Sequence, residues 1–262
     1  MYLVFDIGGT NTRIAVSDDG QVLAEVKTIP TDQDFKQAIQ SISRVAEEIT
    51  QGKKIAAVAV GVAGALDKDK NLLIKSPHIT GWVQRPLKEE LERIFDCPLY
   101  LENDAHLGGL GEATFGTGKN SQIVAFITIG TGVGGVRIVN KTIDRSSQGF
   151  EPGHQIIIPD GNPCDCGGRG HLETYIAGSY LKQLINWDEV AKYLAIGLNN
   201  TIVHWSPEIV VLGGSVMKSI PLGKVRAYLK EYLTIFPQAP EIALSTLDDQ
   251  AGLYGGLHYL KG

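Results

Sequence analysis

Four side chains that bind soft or borderline metals crowd into eighteen residues: His154, Cys164, Cys166 and His171. Two thiolates and two imidazoles make a set suited to tetrahedral zinc. The Cys-x-Cys spacing is tighter than in ordinary zinc fingers, so the crowding carries more weight than the spacing. A lone histidine is more often a core or surface residue than a ligand. The cluster around Cys164-Asp165-Cys166-Gly167 favours a metal.

Three further motifs are glycine turns that each follow an apolar run. Asp6-Ile7-Gly8-Gly9-Thr10 comes first. Glycines let a backbone approach a ligand closely, and successive N–H groups can form an anion-binding nest. Thr10 adds a hydroxyl, and Asp6 could hold Mg²⁺ through water, because magnesium dehydrates reluctantly. The bland alternative is a hairpin turn. Gly130-Thr131-Gly132-Val133-Gly134-Gly135 is the second turn. It differs from a dinucleotide fingerprint because strand residues follow it, where a helix is required. Gly213-Gly214 is the third. Together the three resemble the phosphate 1, phosphate 2 and adenosine loops of the actin, hexokinase and heat-shock ATPase superfamily.

Glu102-Asn103-Asp104-Ala105 stands where a short strand gives way to a glycine-rich helix. Asn or Asp there is an ordinary helix cap. The functional reading is a carboxylate aimed into a ligand cleft, able to accept the proton of an attacking hydroxyl and favoured in its ionised form by the helix N-terminus.

The elements that must position these residues follow from periodicity. Residues 2–5, 12–17 and 22–28 read as strands, with Asp18-Asp19-Gly20 as a hairpin turn. Residues 35–49 carry apolar side chains at helical spacing, with Thr31 or Asp32 as the cap. A strand over 55–61, a helix over 86–95 and a strand over 99–101 follow, then a helix over 105–113. The strands 123–129 and 133–139 restart the pattern, so each half of the chain opens on a strand, a Gly/Thr turn and a returning strand. Helices over 172–185, 189–203 and 222–233, strands over 208–212 and 242–244, and a last helix from 248 complete the reading. Alternation of this kind implies mixed sheets with helices on their faces.

The chain has 262 residues, 43% hydrophobic and 20% charged, with a formal net charge of −5 and a pI of about 5.7. A protein that grips a nucleic-acid backbone usually carries a basic excess or stripe, and neither is present. No run approaches the ~18 apolar residues of a membrane span. The opening residues show no basic leader and no signal-peptide core, and the cysteines are expected to be reduced. The expected location is cytoplasmic.

These residues together resemble the ROK family, which groups bacterial sugar kinases with sugar-responsive repressors. The segments that carry the resemblance are 5–16, 61–64, 101–105, 129–135, 151–154, 164–173 and 207–214, and Glu151-Pro152-Gly153-His154 with Cys-x-Cys-Gly is its most specific part. The resemblance implies an α/β, two-lobed actin-like ATPase (ribonuclease H-like) fold, with a ligand cleft between a lobe of 1–104 plus about 245–262 and a lobe of 105–244. It implies ATP-dependent phosphorylation of a hexose, glucose at O6 above others, with Asp104 as general base. The implied sugar set is Gly64, Asn103, Asp104, Glu151, His154 and Glu173. The implied nucleotide set is Asp6, Gly8, Gly9, Thr10, Gly130, Thr131, Gly132, Gly213 and Gly214. ATP, catalytic Mg²⁺ and structural Zn²⁺ on His154, Cys164, Cys166 and His171 are the expected cofactors, and a homodimer is the candidate assembly.

Three departures from the family pattern stand out. His171 replaces the common last cysteine ligand, His78 stands where many relatives carry asparagine, and the stretch 178–194 is short. The rival readings are a sugar-sensing repressor, an ATPase or chaperone-like protein of the same superfold, and a kinase for an N-acyl amino sugar or with another phosphoryl donor. Family repressors carry a DNA-binding module before the first glycine turn, and only five residues precede Asp6. Glu151, His154 and Glu173 have no evident purpose in a simple ATPase.

Overall fold

The β-branched runs that open the chain pair as an antiparallel meander of β1 (Tyr2–Ile7), β2 (Asn11–Ser17) and β3 (Glu25–Pro30). The structure is a computed structural model, which describes residues 1–181 and 184–261. After β3 come α1 (Phe35–Thr50), β4 (Ala57–Val62), the hairpin β5 (Ala65–Leu66) and β6 (Leu73–Lys75), α2 (Leu87–Phe95), β7 (Leu99–Asn103) and α3 (Asp104–Thr114). Strands β4 and β7 add in parallel, giving the order β3-β2-β1-β4-β7. Parallel strands covered on both faces must be apolar throughout, and β4 reads Ala-Val-Ala-Val-Gly-Val.

One face of this sheet is covered by α1 and α2. Ala38, Ile39, Ile42, Val45, Ala46 and Ile49 of α1 are buried with Leu3, Phe5 and Ile14. Each large aliphatic side chain buried this way contributes roughly 1.5–3 kcal/mol. The other face is covered by α3 and by α7 (Ala251–Tyr259), the last helix of the chain. These two helices meet at backbone distance. A Cβ on Gly255 would lie 1.8 Å from the Leu107 carbonyl oxygen, and one on Gly111 would lie 2.1 Å from that of Ala251. Glycine at these positions is therefore a packing requirement.

The second unit repeats the plan with β8 (Ile123–Ile129), β9 (Val133–Val139), β10 (Thr142–Ile143), α4 (Glu173–Ile176), α5 (Trp187–Trp205), β11 (Ile209–Gly213), α6 (Leu222–Tyr232) and β12 (Glu241–Leu244). Its strand order is β10-β9-β8-β11-β12, with the first two pairings antiparallel and the last two parallel, as in the first sheet. The weak internal repeat in the sequence is thus a repeat of sheet topology. The units are 1–115 with 250–262, and 116–249. The break follows Phe115 rather than Asp104 because α3 packs on α7.

Two local expectations are corrected. The cap of α1 is Asp34, whose carboxylate accepts the Gln37 N–H at 2.9 Å. Thr31 is spent instead on the Gly8 carbonyl, and Asp32 on the Asp34 N–H. The helix expected over 172–185 is only the short α4. Past Ala177 the backbone turns away, because the Gly178 and Ser179 N–H groups donate to Gly130 and Thr131. Lys182 and Gln183 of that expected helix lie outside the described residues.

Candidate active site and metal centre

The four metal-binding candidates are carried by one loop. Glu151-Pro152-Gly153-His154 forms a short 3-10 turn against β9, so closely that a Cβ on Gly153 would lie 2.3 Å from the Val133 carbonyl oxygen. The loop then returns through an isolated bridge between Ile156 and His171, and a second between Pro163 and Arg169 frames Cys164 and Cys166. The potential ligand atoms of His154, Cys164, Cys166 and His171 all lie within 4.8 Å of one another. Zinc holds nitrogen at about 2.0 Å and sulfur at about 2.3 Å, so a tetrahedral site has N–N edges of about 3.3 Å and N–S edges of about 3.5 Å. The two histidine Nδ1 atoms are 3.4 Å apart, Cys166 Sγ is 3.3 Å from His171 Nδ1, and Cys164 Sγ is 3.8 Å from His154 Nδ1. These separations fit such an ion.

The electrostatics fit as well. Burial pushes the Cys164 thiol above its ordinary value, and burial together with the charge of His154 holds His171 below its own. A neutral imidazole is the ligating form, and a bound cation would convert the thiol to thiolate. With His154 Nδ1 turned toward the cluster, its Nε2 lies 4.0 Å from a carboxylate oxygen of the half-exposed Glu151. Glu173, first residue of α4, accepts the Val133 N–H at 3.0 Å, which ties the loop's end to the start of β9.

The first glycine turn, in the other unit, is closed by the Gly8 N–H donating to the Asn11 carbonyl and braced by the Thr31 hydroxyl on the Gly8 carbonyl. Thr10 is exposed. Asp6 pairs with Arg13 at 3.3 Å, a partner that sequence reasoning did not assign. His78 packs so near this turn that a Cβ on Gly9 would lie 2.5 Å from its own Cβ. The second and third turns are neighbours in the second unit. Gly214, at φ +93°, is pressed onto the end of β8, and the Val216 N–H donates to the Ile129 carbonyl. The Gly130-Thr131-Gly132 turn is braced from Gly178 and Ser179.

At the β7–α3 junction Asn103 caps the helix. Its side-chain oxygen accepts the His106 N–H at 3.1 Å while its amide donates to the Gly64 carbonyl at 3.0 Å. Gly64 has φ +132°, a conformation other residues rarely adopt, and Ser76 and Leu73 leave no space for a side chain. Asp104 is the first residue of α3. Burial raises its carboxyl above the ordinary value, while the Ala105 N–H and the charges of His106 and His78 pull the other way. Asp104 is thus a partly desolvated carboxylate of the kind that accepts protons.

The structure therefore gathers the four metal candidates, two of the glycine turns, and Gly64 with Asn103. It also assembles a group the sequence left scattered. Glu102 binds His106, Lys70 and Tyr259, although Tyr259 lies 157 residues away. Only the four-residue spacing of Glu102 and His106 offered a signal.

A sequence profile of the ROK family matches residues 2–187 and 184–262. A glucokinase of Thermotoga maritima is 27% identical over 98% of this chain and 96% of its own length. A glucokinase of Streptomyces coelicolor is 35% identical over 69% of this chain, a match that spans 59% of that protein. The crystal structure of ROK hexokinase from Thermus thermophilus superposes with a TM-score of 0.88 at 27% identity, covering 99% of this chain and 98% of that one. The α/β fold with mixed sheets is that of the actin-like ATPase class expected from the three glycine turns.

Proposed function

This chain belongs to the ROK family, and on that premise we propose that it is an ATP-dependent hexose kinase with Asp104 as its general base. The observation that carries the reading is Asp104 itself: a desolvated carboxylate at a helix N-terminus, beside an asparagine locked by Gly64 and His106. The glucokinase relatives supply the substrate class, with glucose the first choice.

In this mechanism Asp104 takes the proton of the sugar's primary hydroxyl, O6 in glucose, as that oxygen attacks the γ-phosphorus. The O6–P bond forms, the bond from phosphorus to the β-phosphate oxygen breaks, and ADP leaves. Positioning and charge stabilisation do most of the work in phosphoryl transfer. The phosphates are assigned to Gly8, Gly9 and Thr10, to Gly130, Thr131 and Gly132, and to Gly213 and Gly214. Mg²⁺ would be held through water near Asp6 and would neutralise charge on the phosphates. The hexose set carried over from the family pattern is Gly64, Asn103, Asp104, Glu151, His154 and Glu173. Because Asn103 uses one lone pair of its oxygen and one amide hydrogen within the protein, it has one lone pair and one amide hydrogen left for the sugar. His154, Cys164, Cys166 and His171 would hold zinc with four protein ligands, and the ion would then stiffen the loop and fix the direction of the His154 Nε2–H.

The test is ADP release measured over glucose, mannose, fructose, allose, N-acetylglucosamine and N-acetylmannosamine. Turnover with glucose supports the reading in full. Turnover with an N-acyl amino sugar alone moves the substrate and keeps the chemistry, and sugar-independent ATP hydrolysis alone rejects the kinase.

A further inference from the structure

Past α4 the backbone leaves the helix and spends the Gly178 and Ser179 N–H groups on the Gly130 and Thr131 carbonyls, at 2.8 and 3.1 Å. The next residue, Tyr180, packs against the apolar core of the second unit, and its hydroxyl reaches the Cys/His loop. That oxygen accepts the N–H of Asp165, the residue between the two cysteines, at 3.0 Å. It also lies 3.8 Å from Sγ of the buried Cys164. The same sulfur has a second oxygen neighbour, Glu173 Oε1, again at 3.8 Å. The stretch 178–180 thus touches both the second glycine turn and the metal candidates.

A phenol has one O–H to give and lone pairs to accept with, whereas an ionised carboxylate only accepts. Because a Tyr180 lone pair takes the Asp165 N–H, the hydroxyl hydrogen is left for the sulfur. A free Cys164 thiol can give its own hydrogen to Glu173. A metal-bound thiolate has no hydrogen to give, and of these two oxygen neighbours Tyr180 alone can then donate to it. The backbone N–H of Cys166 acts on this sulfur as well, and Cys166 Sγ has the Gly168 N–H at 3.5 Å. We propose that Tyr180 is a positioning residue for the metal centre, its hydroxyl donating a hydrogen bond to the Cys164 thiolate that zinc creates. This deepens the zinc reading and rests on it. Tyr175 shows what a plain brace looks like: its hydroxyl accepts the Asn162 N–H of the same loop at 2.9 Å.

The decisive experiment measures zinc affinity of the full chain by chelator competition, with cobalt(II) as a spectroscopic probe of the same site. Tyr180→Phe keeps the ring in the core and removes only the hydroxyl. Its zinc dissociation constant should rise about tenfold or more, the usual effect of removing a hydrogen-bond partner from a metal ligand. In the cobalt-loaded variant the sulfur-to-cobalt charge-transfer band should move to longer wavelength, because a thiolate that loses a hydrogen bond gives up electron density more easily. Tyr175→Phe removes a hydroxyl from another N–H of the loop, and its zinc affinity and cobalt band should stay at the wild-type values. If Tyr180 only braces the loop, the two variants would behave alike, with Tm lowered and the band unmoved, and that result overturns the proposal. Wild-type zinc affinity in Tyr180→Phe overturns it too. Wild-type protein that binds neither zinc nor cobalt would instead defeat the zinc reading itself, and the proposal with it.

Discussion

Glu102 and Asp104, separated only by Asn103, are pushed in opposite directions. Burial alone would raise Glu102, but the hydrogen bond and charge of His106 and the charge of Lys70 bring it down from 4.5 to about 2. Asp104 is raised, because burial outweighs the Ala105 N–H and the charges of His106 and His78. A carboxyl depressed by folding stabilises the protein above its unfolded value and loses that contribution as pH falls toward its folded one. The gap for Glu102 corresponds to on the order of 3 kcal/mol. Denaturant unfolding followed downward from pH 4.5 should therefore show a steep loss of stability in the wild type and a shallower one in Glu102→Gln. Equal slopes would contradict the pairing. At this scale the metal candidates were legible, because four unusual side chains in one short stretch need no fold to be noticed. Lys70 and Tyr259 were not, because nothing local marks a lysine or a tyrosine that meets Glu102 from 32 and 157 residues away.

Among the elements, α1 was legible from its six buried apolar positions, while its cap was not. Thr31, Asp32 and Asp34 are all chemically able to cap, and tertiary partners decide which one does. The helix expected past α4 stops because the Gly178 and Ser179 N–H groups go to the second glycine turn instead. That bracing leaves Gly130 open: a Cβ there would meet only Ser215 Oγ, at 3.8 Å. Gly130→Val should fold, and calorimetry should find ATP affinity reduced about tenfold or more, roughly 1.4 kcal/mol, with hexose affinity intact. Unchanged ATP affinity would count against the loop. The Cys/His loop makes a complementary prediction. Purified protein should carry about one zinc per chain, and chelation or Cys166→Ser should lower hexose affinity while ATP–Mg²⁺ still binds. Metal-free protein with normal hexose binding would remove both the zinc site and the sugar role of His154.

Across the whole molecule, two sheets of the same strand order and sense arise from two sequence halves that share little beyond a strand, a Gly/Thr turn and a returning strand. The chain's end returns to complete the first unit through α7. Glycine-rich α3 and α7 have little amphipathic contrast, so the sequence suggested helices there without showing that they pack on each other. That contact makes Gly255→Ala a severe change, costing about 3 kcal/mol or more by overpacking, to be read as a fall in Tm. An unchanged Tm would mean the helices are not held at backbone distance.

The central claim is hexose phosphorylation with Asp104 as the base, and turnover of ATP with glucose in wild type and Asp104→Asn tests it most directly. Asparagine keeps the shape and hydrogen bonds of the side chain and cannot accept the proton. The account predicts glucose-dependent ADP release in the wild type and a loss of about a hundredfold or more in kcat in the folded variant, with glucose KM changed far less. Near-normal kcat in well-folded Asp104→Asn would contradict it.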